Sequence, residues 1–315
     1  MILKNILIYN GRQFGTLIGL MSLMIIFFLM TPYFLTVSNL LNIAQQTSIN
    51  AIMAVGMTFV IITAGIDLSV GSIMAFSGVV LASVLHADVP LPLAILVGLG
   101  IGSLCGSANG LLISYGRLPA FISTLGMMSV ARGAALLYSD GRPVSGFSSD
   151  FRFLATGEIL SIPVPVLIMI AVYVIAHFVL NRTKLGRYTY AIGGNEEAAI
   201  LSGVNTKFIK TIIYTICGLL SGLAAVLLTA RLNSAQPIAG IMYELDAIAA
   251  AVIGGTSLMG GEGRIFGTLI GAFIMGVLRN GLNLLGVSSF IQQIIIGSVI
   301  IIAVLVDMYL KKQNK

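Results

Sequence analysis

The sequence predicts an all-α polytopic membrane protein with about ten transmembrane helices, and three observations predict it. Of 315 residues, 57% are hydrophobic and 9% charged, with a mean hydropathy of +1.04, whereas soluble domains carry about 25% charged residues. Apolar stretches recur along the whole length, and a bilayer core about 30 Å thick takes roughly 20 helical residues per crossing. The few Lys, Arg, Asp and Glu residues stand mostly between those stretches. No loop then holds a sizeable soluble domain, and 1–315 reads as one transmembrane domain. A soluble enzyme is excluded, and any energy-converting domain belongs to a partner.

The elements follow in order. The first apolar segment, near 14–35, comes after Lys4 and Arg12 like a signal peptide. No small-residue cleavage site follows it, so Thr31, Pro32 and Tyr33 read as the outer end of a retained helix. Segments 2 to 5 lie near 43–64, 68–86, 91–114 and 119–138, and a loop over 139–161 carries Asp140, Asp150 and Glu158. Segment 6 lies near 162–180, a polar loop covers 181–207, and segments 7 to 10 lie near 208–232, 241–260, 265–286 and 290–310. The glycine-rich breaks at Gly65 to Gly71 and Gly254 to Gly263 read either as loops or as re-entrant pieces.

With ten crossings, one side receives Lys4, Arg12, Arg117, Arg182, Lys184, Arg187, Lys207, Lys210, Arg264, Lys311, Lys312 and Lys315. The other receives Arg142, Arg152 and Arg231, while Arg132 and Arg279 fall inside segments. The excess places both termini in the cytoplasm, 139–161 outside and 181–207 inside. The same scatter of basic residues between apolar runs excludes nucleic acid despite the net charge of +6. Cys105 and Cys217 read as packing residues, and His86 and His177 stand at helix ends without metal-ligand spacing, so no metal site or catalytic constellation is expected.

Asn109-Gly110-Leu111 recurs as Asn280-Gly281-Leu282 at an offset of 171 residues, and the same offset maps segments 2–5 onto 7–10 with reversed direction. That is the pattern of an inverted repeat, which places a substrate path between the halves near the middle of the membrane. Asn109, Asn280 and Asn283 are candidates for lining it. Asp67, between Gly65 and Gly71, has two readings. It caps the following helix together with Ser69, or it acts in the path or its gate. Glu244 and Asp246 cap a helix or meet a partner, and Gly254, Gly255, Gly260 and Gly261 allow close helix approach or an unwound piece. No Lys-Ser/Thr follows those glycines, so a phosphate cradle is rejected. In the polar loop, Asn195 caps a short helix from Glu196 to Ser202 that ends at Gly203, with Glu196 and Glu197 favoured in its first turn. It is a solvated surface helix or, with Ala198 and Ala199 forming a smooth face, a docking element for another protein.

Six stretches carry a resemblance to a known family: Gln45 to Met57, Gly65-Ile-Asp-Leu-Ser-Val-Gly71, Gly186-Arg-Tyr188 with Gly193 to Glu196 and Leu201-Ser-Gly203, Ala230-Arg-Leu232 with Ser234 to Pro237, Tyr243 to Ala250, and Asn280 to Ser289. From about Leu35 to the C-terminus the chain resembles the membrane permeases of bacterial ATP-binding-cassette sugar importers, the ribose, xylose and arabinose permease family, and within it the ribose permeases. The resemblance implies a non-enzymatic subunit of the inner membrane that dimerises with a second copy around one path. It also implies a periplasmic sugar-binding protein outside and a cytoplasmic ATPase inside, with ATP and Mg on the ATPase and no cofactor in this chain. The loop from Asn195 to Val204 is implied to be the coupling helix, with Glu196-Glu-Ala-Ala199 in place of the Glu-Ala-Ala of close relatives, and the loop over 139–161 is shorter than expected of the family. The expected activity is translocation of ribose or a similar monosaccharide. A proton-coupled secondary transporter using Asp67 or Asp246 is the alternative.

Overall fold

The structure, a computed structural model, describes residues 2–313, with side chains over 14–305; the side chains of Lys4, Arg12, Lys311, Lys312 and Lys315, used above for orientation, lie outside the described residues. The helices are α1 (Ile2–Met30), α2 (Val37–Ile62), α3 (Val70–His86), α4 (Leu91–Ser114), α5 (Ala120–Tyr138), α6 (Ser149–Thr156), α7 (Val164–Arg182), α8 (Lys184–Gly194), α9 (Glu196–Leu201), α10 (Thr206–Leu232), α11 (Tyr243–Ile253), α12 (Ile265–Leu284) and α13 (Ser289–Gln313). Among the described residues, six helices, α2, α4, α5, α7, α10 and α12, are long and apolar enough to cross a membrane. Shorter apolar stretches lie over Phe14–Met30, Val70–His86 and Ser289–Leu305. Proline sets several starts: Pro90, Pro119 and Pro163 precede α4, α5 and α7 with the extended backbone that a helix entry requires.

The centre is the α2–α10 pair. Both helices are apolar or small on nearly all sides because both are packed on nearly all sides. α10 lies against α4 and α3, while α2 lies against α12 and α11. Lipid supplies no hydrophobic drive between helices, so close packing of small residues has to hold them. At the α4–α10 crossing, Gly98, Gly102, Gly106 and Gly110 form a stripe one turn apart against Thr211, Gly218 and Gly222. A Cβ on Gly102 would stand 2.3 Å from the Gly218 carbonyl oxygen, so these backbones touch. The opposite side of α4 presents Leu93, Leu96, Leu104 and Leu111 outward.

The segment expected over 241–260 is corrected. α11 stops at Ile253 and is only about 16 Å long at 1.5 Å per residue, half of a hydrocarbon core. Gly255, Gly260 and Gly261 follow with positive φ, and Gly254 lies against the backbone of Gly267 in α12. The helical part of this segment is therefore short, and its remaining length is glycine-rich, non-helical chain that reaches Ile62 at the end of α2, where Gly261 N donates to the Ile62 carbonyl.

Between α2 and α3, residues 63–69 rise from the end of α2, and between α10 and α11, residues 233–242 descend from the opposite end. The second connection meets the first turn of α3, just after the first connection: a Cβ on Gly71 would stand 2.2 Å from the Gly240 carbonyl oxygen, and one on Gly240 would stand 2.7 Å from that of Gly71. Arg132 of α5 holds the descending piece by donating to the carbonyls of Pro237 (2.6 Å) and Ala239 (2.7 Å). This accounts for one of the two arginines inside apolar segments.

The loop over 139–161 is structured. Val144–Ser145 (β1) pairs antiparallel with Ser234–Ala235 (β4), and Glu158–Ile159 (β2) pairs with Ile162–Pro163 (β3). α6 buries Phe151 and Ala155 against Leu81 and Ala94, and Phe147 stacks edge-on against both Phe151 and His86.

Candidate functional site

The polar loop over 181–207 folds as two short helices, of which only α9 was expected. Thr183 caps α8, its hydroxyl accepting from Gly186 N. Asn195 Oδ1 accepts from Ala198 N at 2.9 Å and starts α9, while Ser202 closes it and Gly203 follows at φ +81°. Glu196 receives a 2.6 Å hydrogen bond from Lys210 of α10. The alanine face divides: Ala199 is buried beneath the helix and Ala198 is exposed, so the outward surface consists of Glu197, Ala198, Ile200 and Leu201, the last 89% exposed. α8 is fastened elsewhere. Tyr190 donates to the Gly263 carbonyl at 2.7 Å, Gly193 lies against the Ile62 carbonyl, and Gly261 N donates to that same carbonyl at 2.9 Å. The loop thus holds α10 through α9, and α2 and the start of α12 through α8. Beside it a cleft of about 450 Å³ is lined by the end of α2, Arg117, Glu196, Lys207 and Lys210, with Tyr214 among its walls.

Asp67 is fully enclosed. Its Oδ1 accepts from Ser69 N at 2.9 Å and from Ser69 Oγ at 2.5 Å, and the Cys217 thiol lies beside the carboxylate. This is a side-chain turn ahead of the helix rather than a cap on it: the residue at the cap position of α3 is Ser69, which makes no side-chain cap bond. Asn109 donates to Ser69 Oγ at 2.9 Å, and Thr124 Oγ1 donates to the Ile66 carbonyl at 3.3 Å, so the turn ties α3 to α4 and α5. Gly65 is pressed beneath the Tyr214 hydroxyl. Asn280 exchanges two 3.0 Å hydrogen bonds with Asn39, and Asn283 accepts from Gln292 of α13 at 2.7 Å.

Asp246 is not a cap either. It is 97% buried, as its 3% side-chain exposure records, and Oδ2 accepts from Arg279 of α12 at 2.6 Å and from Asn50 of α2 at 3.1 Å. A charged guanidinium inside an apolar segment requires a partner. Arg279 by itself was the signal for this pair, although the sequence does not say which acid answers it. Among the described residues no group of three His, Cys, Asp or Glu side chains is placed to hold a metal ion.

A family described as "Branched-chain amino acid transport system / permease component" matches residues 39–304. The chain is 53% identical over 311 residues to the ribose import permease protein of Escherichia coli (strain K12), covering 95% of this chain and 97% of that one. It is 52% identical to the ribose import permease protein of Bacillus subtilis (strain 168), covering 94% of this chain and 92% of the relative. The D-allose transport system permease protein of E. coli K12 is 42% identical, over 95% of this chain and 93% of its own. No solved structure matches. The glycine-tied helices, the short capped helix at one end and these full-length likenesses agree, and the chain belongs to the family of branched-chain amino acid transport system / permease components, a multi-pass membrane protein akin to the ribose import permeases.

Proposed function

We propose that the chain is the membrane subunit of an ATP-driven importer of ribose or a similar monosaccharide, with both termini on the cytoplasmic side of a bacterial inner membrane. The observation that carries the reading is the 53% identity to an import permease over 95% of the chain. Two copies surround one path; a sugar-binding protein delivers from outside, and a separate ATPase, carrying ATP and Mg, works from inside. In this reading 139–161 faces outward and 181–207 inward. Asn195, Glu196, Glu197, Ala198, Ala199, Ser202 and Gly203 form the element that the ATPase grips.

Ten segments in two inverted halves remain the architecture we favour. The α2–α12 contact has its counterpart in α10–α4, α11–α2 in α3–α10, and α11–α12 in α3–α4, as a two-fold relation between 2–5 and 7–10 requires. Gly71 and Gly240, each pressed on the other's carbonyl, suit the same relation. Movement of α9 passes to α10 through Glu196–Lys210, and movement of α8 passes to α2 and α12 through Ile62, Gly261 and Gly263. α2 and α12 carry the Asn39–Asn280 pair, and α10 covers the Asp67–Ser69–Asn109 chain with Tyr214 and Cys217; we assign both to the gate as joints between helices. Membrane vesicles holding the permease, its ATPase and its binding protein provide the test. Ribose uptake driven by ATP without a proton gradient is expected, and uptake that requires the gradient would replace the reading with a proton-coupled carrier.

A further inference from the structure

A second polar site lies apart from the coupling loop and the Asp67 turn. Gln46, Thr47 and Asn50 of α2, Asp246 of α11 and Arg279 of α12 line a cavity of about 40 Å³, and Asn50 stands near the middle of α2. Roughly 10–15 Å³ of such space holds one water molecule, so the cavity admits a few hydroxyl-sized groups along one edge of a ligand. Two of its polar atoms have no partner within the chain: Thr47 Oγ1, on a residue 97% buried, and Asn50 Oδ1. A buried polar atom without a hydrogen bond is costly, and it commonly marks a position that another molecule completes.

Three features set the chemistry of that molecule. Arg279 is paired with Asp246, so the pocket has no net charge to offer an anion or a cation. Its open groups are an amide oxygen that accepts and a hydroxyl that both donates and accepts, which suits a neutral polyhydroxyl compound. The Arg279 side chain is also 41% exposed, and a guanidinium facing acyl chains at this depth is strongly disfavoured, so this face of α2 and α12 meets water or protein rather than lipid. Asn42 and Gln46, hydrogen-bonded at 2.7 Å one turn apart, continue the polar face towards the outer end of α2. Near the middle of the membrane, beside the short helix α11, lies the position where paired halves of a transporter hold their substrate.

We propose that this pocket is a contact point within the path, where Thr47 and Asn50 read sugar hydroxyls and the Asp246–Arg279 pair positions Asn50. The proposal rests on the importer reading above. The test is uptake of radiolabelled D-ribose by the complete importer reconstituted in liposomes, for the unsubstituted chain, Thr47→Val and Thr47→Ser. Valine keeps the shape and removes the hydroxyl, while serine keeps the hydroxyl. Uptake is expected to fall about fivefold in Thr47→Val, the worth of one hydrogen bond, and to stay within twofold in Thr47→Ser. Competition by the deoxyriboses completes the readout: the valine variant is expected to lose part of the preference for ribose over the deoxy sugar whose missing hydroxyl Thr47 reads. Co-purification with the ATPase establishes that each variant is folded and assembled. Unchanged uptake and unchanged preference in Thr47→Val overturn the proposal, as does an equal loss in both variants, which marks Thr47 as a packing residue. Should the unsubstituted importer take up no ribose with ATP, the importer reading falls first; should it do so while valine has no effect, only the pocket assignment falls.

Discussion

Replacing Gly102 by alanine tests the claim that backbone contact between α4 and α10 organises the bundle. The added methyl would stand 2.3 Å from the Gly218 carbonyl oxygen, 3.0 Å from Gly222 N and 3.1 Å from Gly222 Cα. None of these is the end of a flexible side chain, so the helices themselves must part by about 1 Å to restore ordinary contact at about 3.5 Å. A gap of that size forfeits a quarter to a half of the dispersion attraction along the crossing, and overpacking of this kind costs about 1–3 kcal/mol. The shift also reaches the Asp67 turn, because the 2.9 Å bond from Asn109 to Ser69 stretches beyond hydrogen-bonding range if α4 withdraws. The assay is the thermal unfolding midpoint of the detergent-solubilised permease, with Gly100→Ala as the comparison, since a Cβ there meets nothing within 4 Å. Gly102→Ala is expected to lower the midpoint by several degrees. Gly100→Ala is expected to leave it unchanged or raise it, by up to about 1 kcal/mol of helix propensity. A Gly102→Ala midpoint equal to that of Gly100→Ala would refute the reasoning.

Arg279→Leu strands an enclosed carboxylate and is expected to cost about 3–5 kcal/mol, whereas the double change Asp246→Leu with Arg279→Leu is expected to recover most of it; equal midpoints for the single and double variants would count against the ion pair. Gly203→Pro forces φ from +81° to about −65° at the exit of α9. The permease is expected to reach the membrane but to lose co-purification with the ATPase, and normal co-purification would remove α9 from the docking element.

The positions of the helices were readable because length and hydropathy decide them. The ends of segments 3 to 5 fell within two residues of the observed helices, segment 2 was read as starting six residues too late, and Asn195 and Gly203 bracketed α9 through purely local chemistry. What failed was decided by contacts distant in sequence. α8 contains Gly186, Gly193 and Gly194, which are poor helix formers, and it is held instead by Tyr190 on Gly263 and by Gly193 on Ile62. Asp246 reads locally as a first-turn acid; only the arrival of α12 beside α11 shows it as the partner of Arg279. The two faces of α9 could not be told apart in sequence, because the choice between Ala198 and Ala199 depends on where α10 passes. The glycines of α4 at every fourth residue were not singled out as a stripe in the sequence, because their meaning needs Gly218 and Gly222 opposite.

The covered carboxyl of Asp67 has a consequence for how the chain is made. Tyr214 and Cys217, which close over that turn, are synthesised about 150 residues later. At roughly 5–20 residues per second, about 8–30 s pass between the emergence of the acid and that of its lid. Throughout that interval the turn has Ser69, Asn109 and Thr124 but no α10, and an acid without cover is poorly tolerated by lipid. The turn thus reaches its enclosed form only when α10 packs against α3 and α4, and the first half of the chain is incomplete in this respect until the second is made.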